Sequence, residues 1–520
     1  MKVLFEKHST LSKCVLVLFN VLFFCLAAYL LPILFETNDD IDMCLTANGC
    51  QTGTPDCHLI YPNALYGCVI AWLYTLTTAV EWYTVVFAMF HVISISIIVW
   101  HILKLKQPPF LKTLLLLFVY VIWLNLIIAF QFTTTAALLA IAGCFACLQG
   151  KRSTVSGILL IIMASLVRFQ AAGLVGLLFV PVVIFRNQFE WRKYIPYIIL
   201  LSVVLLLKRA DGLFYQSTEW KNFTERNAVR GGINDNPNFD KIDFEKLKEN
   251  GINKNNYLLL GWFMSDGATM GIEQLKTIKQ ILNEMPVEKK YDNANQLVLY
   301  RVPLALLLLF SLGLALSADK KSDRWFVVVQ TIFFFATIIG LGFDHSVKYR
   351  VFLSAFFASV LFLSLVPVKK GAPVWITLLI TVSLLGISCK YGLRTYKISK
   401  SKHQLIANEW ELKQKPLMEA LPDRSVYGGY YLWIDLVNPF QIKSLKLRPI
   451  GLCSTPLYEH YPLTHPSLLL SDNFYMFSSS DEHDELIQLL QDYMQEQYSM
   501  TLYVDTIIKK EPFCVLHFKQ

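Results

Sequence analysis

Charge is scarce in this chain. Only 17% of its 520 residues are Asp, Glu, Lys or Arg, against 54% hydrophobic, a balance that soluble proteins of this size rarely show. Long apolar runs recur from residue 14 to residue 391, so the chain reads as a multi-span membrane protein. It has no Walker loop and no Gly-x-Gly-x-x-Gly, which leaves no basis for a nucleotide-driven pump. It also has no nucleic-acid motif, no internal repeat and no low-complexity segment. The first apolar run, Val15 to Phe35, is longer than a signal-peptide core and lacks a small-x-small cleavage site near its end. It therefore reads as an uncleaved first span. Cations are absent from residues 36 to 62, although the net charge is +8.

A membrane-crossing helix needs about 20 mostly apolar residues. Spans are expected near 14–35, 82–103, 110–130, 131–149, 153–167, 169–185, 194–207, 297–316, 325–342, 350–367 and 374–391, about 11 in all. Lys and Arg in short loops prefer the cytoplasm. Lys13, the Lys104–Lys112 loop, Lys151 with Arg152, the Arg186–Lys193 loop, the Lys320–Arg324 loop and Lys369 with Lys370 all fall on one side if residues 61–79 do not cross. The amino terminus is then cytoplasmic. The loop after the first span, residues 208–296 and the tail from 392 lie outside. "NALYGCVIAWLYTL" is apolar but short, and reads as a helix along the outer membrane surface, with Glu81-Trp82 at its interfacial end. The rival parse makes it a span and puts Lys104 and Lys106 outside.

The expected fold is thus an all-α polytopic membrane protein carrying a small extracytoplasmic α/β domain. Residues 1–391 form the membrane unit, with a first outer loop at 36–81 and a large helical outer loop at 208–296. In the latter, "DFEKLKENG" has an acidic start and a Gly stop. Residues 392–520 hold a charged helix, "DEHDELIQLLQDYMQEQ", followed by strand-like "MTLYVDTII" and "FCVLHF".

Three groups of charge gather at outer helix ends. Asp39 and Asp40 follow the first span in a loop without cations. Arg168 interrupts the apolar stretch "IIMASLVRFQAAGLV", where a charge costs at least about 2.5 kcal/mol and usually marks function. "DHSVKYR" adds Asp344, His345, Lys348 and Arg350. This arrangement suits transfer of a sugar from a polyprenyl phosphate. The departing lipid phosphate needs cations or a metal, and the acceptor hydroxyl needs a carboxylate base. An acidic pair that only solvates a helix end is the plain alternative.

"TNDD", "YPNALYGCVIAWLYTLTTAVEWYT" and "EWKNFTERNAVRGGINDNP" resemble stretches of the GT-C class of integral membrane glycosyltransferases, in particular bacterial members of glucosyl-transferase type. That class includes protein O-mannosyltransferases, the catalytic subunit of oligosaccharyltransferase, and bacterial enzymes that decorate lipid A or O-antigen. The resemblance covers residues 1 to about 400 and does not extend to the tail. It implies an enzyme of the bacterial inner membrane. Such an enzyme moves a hexose or pentose from a polyprenyl-phosphate donor to a cell-envelope glycan or lipid on the outer face. It implies a catalytic acid at Asp39 or Asp40, and it leaves open whether a divalent cation takes part. An O-antigen-type polymerase and a lipid or glycan transporter are the rival functions. A transporter should instead show charges near mid-membrane and paired broken helices.

Arg168 is the first candidate for the lipid phosphate, with Arg350 and Lys348 second. Arg226 and Arg230 in the large loop, and His345, are further candidates for donor or acceptor binding. Gln131 and Thr133 to Thr135 read as helix-bridging polar residues. Cys44, Cys50 and Cys57 crowd the first outer loop beside His58, where a disulfide, free thiols and a metal site are all open. Cys14, Cys25, Cys144, Cys147 and Cys389 read as packing residues within spans.

Overall fold

The computed structural model describes residues 9–49, 54–187, 190–262, 270–286, 297–344, 347–369, 374–405, 426–428, 438–440, 465–479, 483–510 and 513–520, with positions 412 and 416 besides. Each expected span falls on a helix. In chain order these are α1 (Ser9–Leu30), α4 (Trp82–Lys104), α5 (Pro109–Ile128), α6 (Phe132–Cys147), α7 (Lys151–Val167), α8 (Phe169–Asn187), α9 (Ile195–Phe214), α14 (Arg301–Ser317), α15 (Lys321–Asp344), α16 (Tyr349–Leu363) and α17 (Val374–Leu405). Between them lie α2 (Asn38–Ala47), α3 (Ala64–Leu76) and, in the large loop, α10 (Thr218–Asn234), α11 (Phe244–Glu249), α12 (Lys254–Gly261) and α13 (Ile272–Glu284). Among the described residues, five helices are long and apolar enough to cross a membrane: α1, α4, α5, α8 and α15.

The first helix ends earlier than its hydropathy suggests. Pro32 disfavours helical backbone at Leu31, so α1 stops at Leu30 rather than at residue 35. The chain then forms β1 (Leu34–Phe35), which pairs in parallel with β2 (Ala129–Phe130). Glu36 N donates to Phe130 O at 3.0 Å, and α2 starts directly after. The two acids therefore open a new helix instead of closing the old one, and the helix amino terminus favours negative charge there.

The middle of the bundle is α6, which buries every residue except Thr133. A helix buried on all sides needs no polar face. Its composition, rich in Ala, also lets α7 approach closely. A Cβ on Gly157 would sit 2.5 Å from Gly143 O, so only glycine tolerates that crossing.

Helix α3 begins on Asn63, whose Oδ1 accepts from Leu65 N. Asp211 of α9 accepts from Ala64 N at 2.8 Å and pairs with Lys208. The helix buries Tyr66, Ile70 and Tyr74, and exposes Leu65, Val69, Trp72 and Leu76 along the other face. That exposed apolar stripe is what a surface-lying helix presents to lipid. Glu81, expected at a wetted interface, is instead buried: Tyr74 Oη and Cys44 Sγ both donate to its Oε2, at 3.0 and 3.4 Å.

The last apolar helix, α17, runs on to Leu405, well past the expected end at 391. Near its end Ser399 Oγ donates to Pro32 O, and the His403 ring lies 3.2 Å from Ile33 O. These contacts tie α17 to the segment that leads into the acids. Beyond it, β3 (Val426–Gly428), β4 (Phe474–Ser479), β5 (Tyr503–Lys510) and β6 (Phe513–Lys519) form a sheet of order β3-β4-β6-β5. β3 runs parallel to β4, and the other pairings are antiparallel. Helix α19 (His483–Tyr498) follows the short α18 (Pro466–Leu469). It packs Leu486, Leu490, Tyr493 and Met494 against Phe474, Met476 and Leu516. Leu259 of α12 joins this core, and Asn253 and Asn255 donate to the Glu496 carboxylate at 2.7 and 2.9 Å. The large loop and the carboxyl-terminal sheet thus share an interface.

Candidate functional site

Adjacent in sequence, Asp39 and Asp40 have opposite surroundings. Asp40 is fully buried. Its Oδ1 accepts from Tyr83 Oη and from Phe132 N, both at 3.0 Å, and its Oδ2 accepts from Thr37 Oγ1 at 3.1 Å. Phe132 is the first residue of α6, whose opening N–H groups have no partner inside the helix. Asp40 therefore caps α6 from another part of the chain and fixes α2 against it. Burial raises its carboxyl well above the usual range, with the Tyr83, Phe132 and Thr37 bonds opposing.

Asp39 is only half-buried. Burial raises its carboxyl, while a hydrogen bond from Tyr61 and the charges of Arg350 and Arg168 pull it back. Asp235, at the carboxyl-terminal end of α10, is also close enough to act on it. Arg168 occupies the break between α7 and α8, in extended backbone at φ −155° and ψ 102°. Its guanidinium lies 5.2 Å from the ring centres of both Tyr61 and Phe132. The two rings are themselves stacked, so they hold the cation on aromatic faces. The same Phe132 receives the Asp40 cap on its backbone. One residue thus links the buried acid, the cation platform and the start of α6.

Next to this group is a cavity of about 180 Å³, lined among others by Glu36, Asn125, Thr134, Tyr349, Arg350 and Thr395. Burial raises the Glu36 carboxyl, opposed by Arg350 and Lys402. Asn125 Nδ2 donates to Tyr349 Oη at 2.9 Å across the cavity wall. The Arg350 charge thus acts on two carboxylates, Asp39 and Glu36. The arrangement offers a proton acceptor, two guanidinium groups and a part-apolar hollow side by side.

Of the candidates read from the sequence, Asp39, Arg168 and Arg350 come together here. Lys348 is exposed at the start of α16, two residues from Arg350. His345 lies outside the described residues. Arg226 and Arg230 are buried in the large loop, where Arg226 Nε donates to Met270 O and Arg230 to Asn227 Oδ1. Those contacts bind the loop to itself, which gives both cations a structural use. The bridging expected here is present for Thr135, whose Oγ1 lies 2.9 Å from His91 Nε2 of α4, whereas Gln131 offers only its backbone carbonyl, to Thr135 Oγ1 of the same helix. No disulfide joins Cys44 to Cys57, and Cys50 lies outside the described residues. Cys14 and Cys25 are exposed on α1 rather than packed within the bundle.

Sequence reasoning passed over Glu36, Tyr61, Tyr349 and Lys402. Glu36 and Tyr61 lie within or beside the quoted motifs, as the acid directly ahead of "TNDD" and the residue ahead of Pro62. Lys402 carries no local signal, because it belongs to the far end of α17.

No protein-family model matches this sequence, and no curated protein matches it either. The chain is similar to ArnT. The crystal structure of ArnT from Cupriavidus metallidurans bound to undecaprenyl phosphate aligns with a TM-score of 0.41 at 12% identity, covering 96% of this chain and 97% of that one. An overlap that loose transfers no residue roles, so the site here stands on its own geometry.

Proposed function

We propose that this protein is a membrane glycosyltransferase of the GT-C type. It moves a sugar from a polyprenyl-phosphate donor to a glycan or lipid acceptor at the outer face of a bacterial inner membrane. The observation that carries this reading is Asp39: a half-buried carboxyl with a raised pKa, hydrogen-bonded by Tyr61, with Arg168 and Arg350 at hand. A base tuned upward by burial suits proton removal from a hydroxyl, and two guanidinium groups suit a phosphate.

In the proposed reaction the acceptor hydroxyl attacks the anomeric carbon, and its proton passes to Asp39. The bond between that carbon and the phosphate oxygen breaks, and the lipid phosphate leaves with the bonding electrons. Arg168 and Arg350 hold the resulting charge. Arg168 lies across two aromatic rings, so its planar group faces a fixed direction, and a lysine would not reproduce that.

Binding of polyprenyl phosphate to the purified protein tests the cationic half. Arg168→Ala should weaken binding by about 10-fold or more, the scale of one charge-assisted hydrogen bond, and Arg168→Lys should recover only part of the loss. Unchanged affinity in both folded variants would remove Arg168 from the site.

The acidic half makes a pH prediction. The base works only when ionised, so transfer falls as pH drops through the Asp39 pKa, which burial places above the ordinary carboxylate value. Tyr61 opposes that rise by its hydrogen bond. Tyr61→Phe should therefore move the acidic limb of the pH–rate profile to higher pH. An acidic limb in the same place would separate Tyr61 from the titrating group.

A further inference from the structure

The end of the bundle opposite the acids holds a pair of cations that the proposed reaction does not use. Lys13, near the start of α1, and Lys104, the last residue of α4, both rest on the Trp100 indole. Their Nζ atoms lie 5.5 and 4.7 Å from its ring centre. At a rise of about 1.5 Å per residue, this place lies roughly 30 Å along α4 from Tyr83 and the acids. Among the described residues neither lysine has a carboxylate within ion-pair distance. The carbonyl end of α4 is served instead by Lys112 of α5, which donates to Leu103 O at 3.0 Å.

An indole face attracts a cation but carries no net charge. Two ammonium groups on one ring therefore repel one another, the more so where lipid excludes water. Snorkelling brings a lysine to the membrane surface, but it does not gather two of them on one ring. An anion shared by both would relieve the repulsion. The helices also supply an apolar track. On α1, Val17 and Val21 follow Lys13 at four-residue steps, and on α4, Ile97 and Ile93 share the face of Trp100. Val17, Val21 and Ile93 are exposed, and Ile97 is half-buried. The two helices run antiparallel, with Asn20 Nδ2 donating to Ser96 Oγ at 2.9 Å between them, so the two apolar sets lie at matching depths. Cations at one end of an exposed apolar track match an amphiphile with an anionic head.

We propose that Lys13, Trp100 and Lys104 bind an anionic phospholipid. The two ammonium groups share its phosphate, and an acyl chain lies along Val17, Val21, Ile93 and Ile97. The orientation read from the sequence would put this headgroup in the inner leaflet, where basic pockets between helices take such lipids. The bound lipid braces α1 against α4, far from the cations assigned to the donor phosphate.

The test uses the full-length protein in neutral detergent, read by native mass spectrometry. The probe is dioleoylphosphatidylglycerol, and dioleoylphosphatidylcholine is its zwitterionic control. The first should bind at least about 10-fold more tightly, since each lysine at an anionic headgroup is worth about 5-fold. Combining Lys13→Gln with Lys104→Gln should weaken phosphatidylglycerol binding about 30-fold and leave phosphatidylcholine binding as it was. Lys106→Gln removes an exposed charge from the same loop and should leave both nearly unchanged. Inorganic phosphate at equal concentration should not displace the lipid. The proposal fails if the two lipids bind alike, or if the double variant keeps the parent affinity. It also fails if Lys106→Gln costs as much as the pair, which would mean a diffuse basic surface. Displacement by equal inorganic phosphate would overturn it as well, because a free anion would then suffice. Should the double variant not fold, Lys13→Gln alone and the contrast between the two lipids on the parent protein decide the matter.

Discussion

Replacing Asp39 with Asn should lower sugar transfer by about 10²- to 10⁴-fold, the usual worth of a positioned general base. The amide keeps the size of the carboxylate and can still accept a hydrogen bond from Tyr61, but it cannot take the acceptor's proton. Asp39 is half-buried and belongs to no structural cap, so thermal stability should stay close to that of the parent. Donor binding should also persist, because Arg168 and Arg350 are untouched. A fall in turnover with unchanged donor affinity is the signature of an interaction made in the transition state. Running the same assay with a chelator separates a base from a metal ligand, since a ligand role makes the loss depend on added divalent cation. Full activity in Asp39→Asn would reduce the acid to a marker of the helix start.

Asp40 should behave in the opposite way. Asp40→Ala strips the acceptor from Phe132 N and Tyr83 Oη, both of which are buried. Each orphaned donor costs about 1–3 kcal/mol, so the pair implies roughly 2–6 kcal/mol. Thermal unfolding in detergent should show a clear loss of stability, and the yield of monodisperse protein should fall. Asp40→Asn resembles the neutral acid that burial favours and should retain most of the stability. If Asp40→Ala unfolds at the parent temperature, the cap on α6 contributes little and the contrast between the two acids collapses. Measured together, the variants assign one carboxylate to chemistry and its neighbour to architecture.

Much of the architecture can be read along the chain. Hydropathy marks each of the long helices because burial in lipid or among helices is a local compositional demand. The break at Arg168 and the start at Asn63 are visible for the same reason: each is a polar residue punctuating an apolar run. The end of α1 is less visible, because Val15 to Phe35 is apolar throughout, and only Pro32 reveals that the last residues form a strand against β2. Which of the two acids is locked away as a cap depends on Tyr83 and Phe132, 43 and 92 residues away from Asp40. Spacing within "TNDD" carries none of that. The same limit hides the neighbour of Cys57, which the loop composition directs toward Cys44 or Cys50 and the fold gives as Gly67 of α3. It also hides the internal use of Arg226 and Arg230, since a loop arginine looks alike whether it meets a substrate or a carbonyl oxygen.

The two-residue pairing of β1 with β2 has a mechanical side. A helix that enters a bilayer of unmatched thickness adjusts by tilting, and anything fused to its end moves with it. Here the acids are fastened to the turn between α5 and α6, through Leu34 and Phe35 below and the Phe132 amide above, while α1 connects through the bend at Pro32. The bend lies between α1 and that fastening. A tilt of α1 should therefore be taken up at Pro32 before it reaches Asp39.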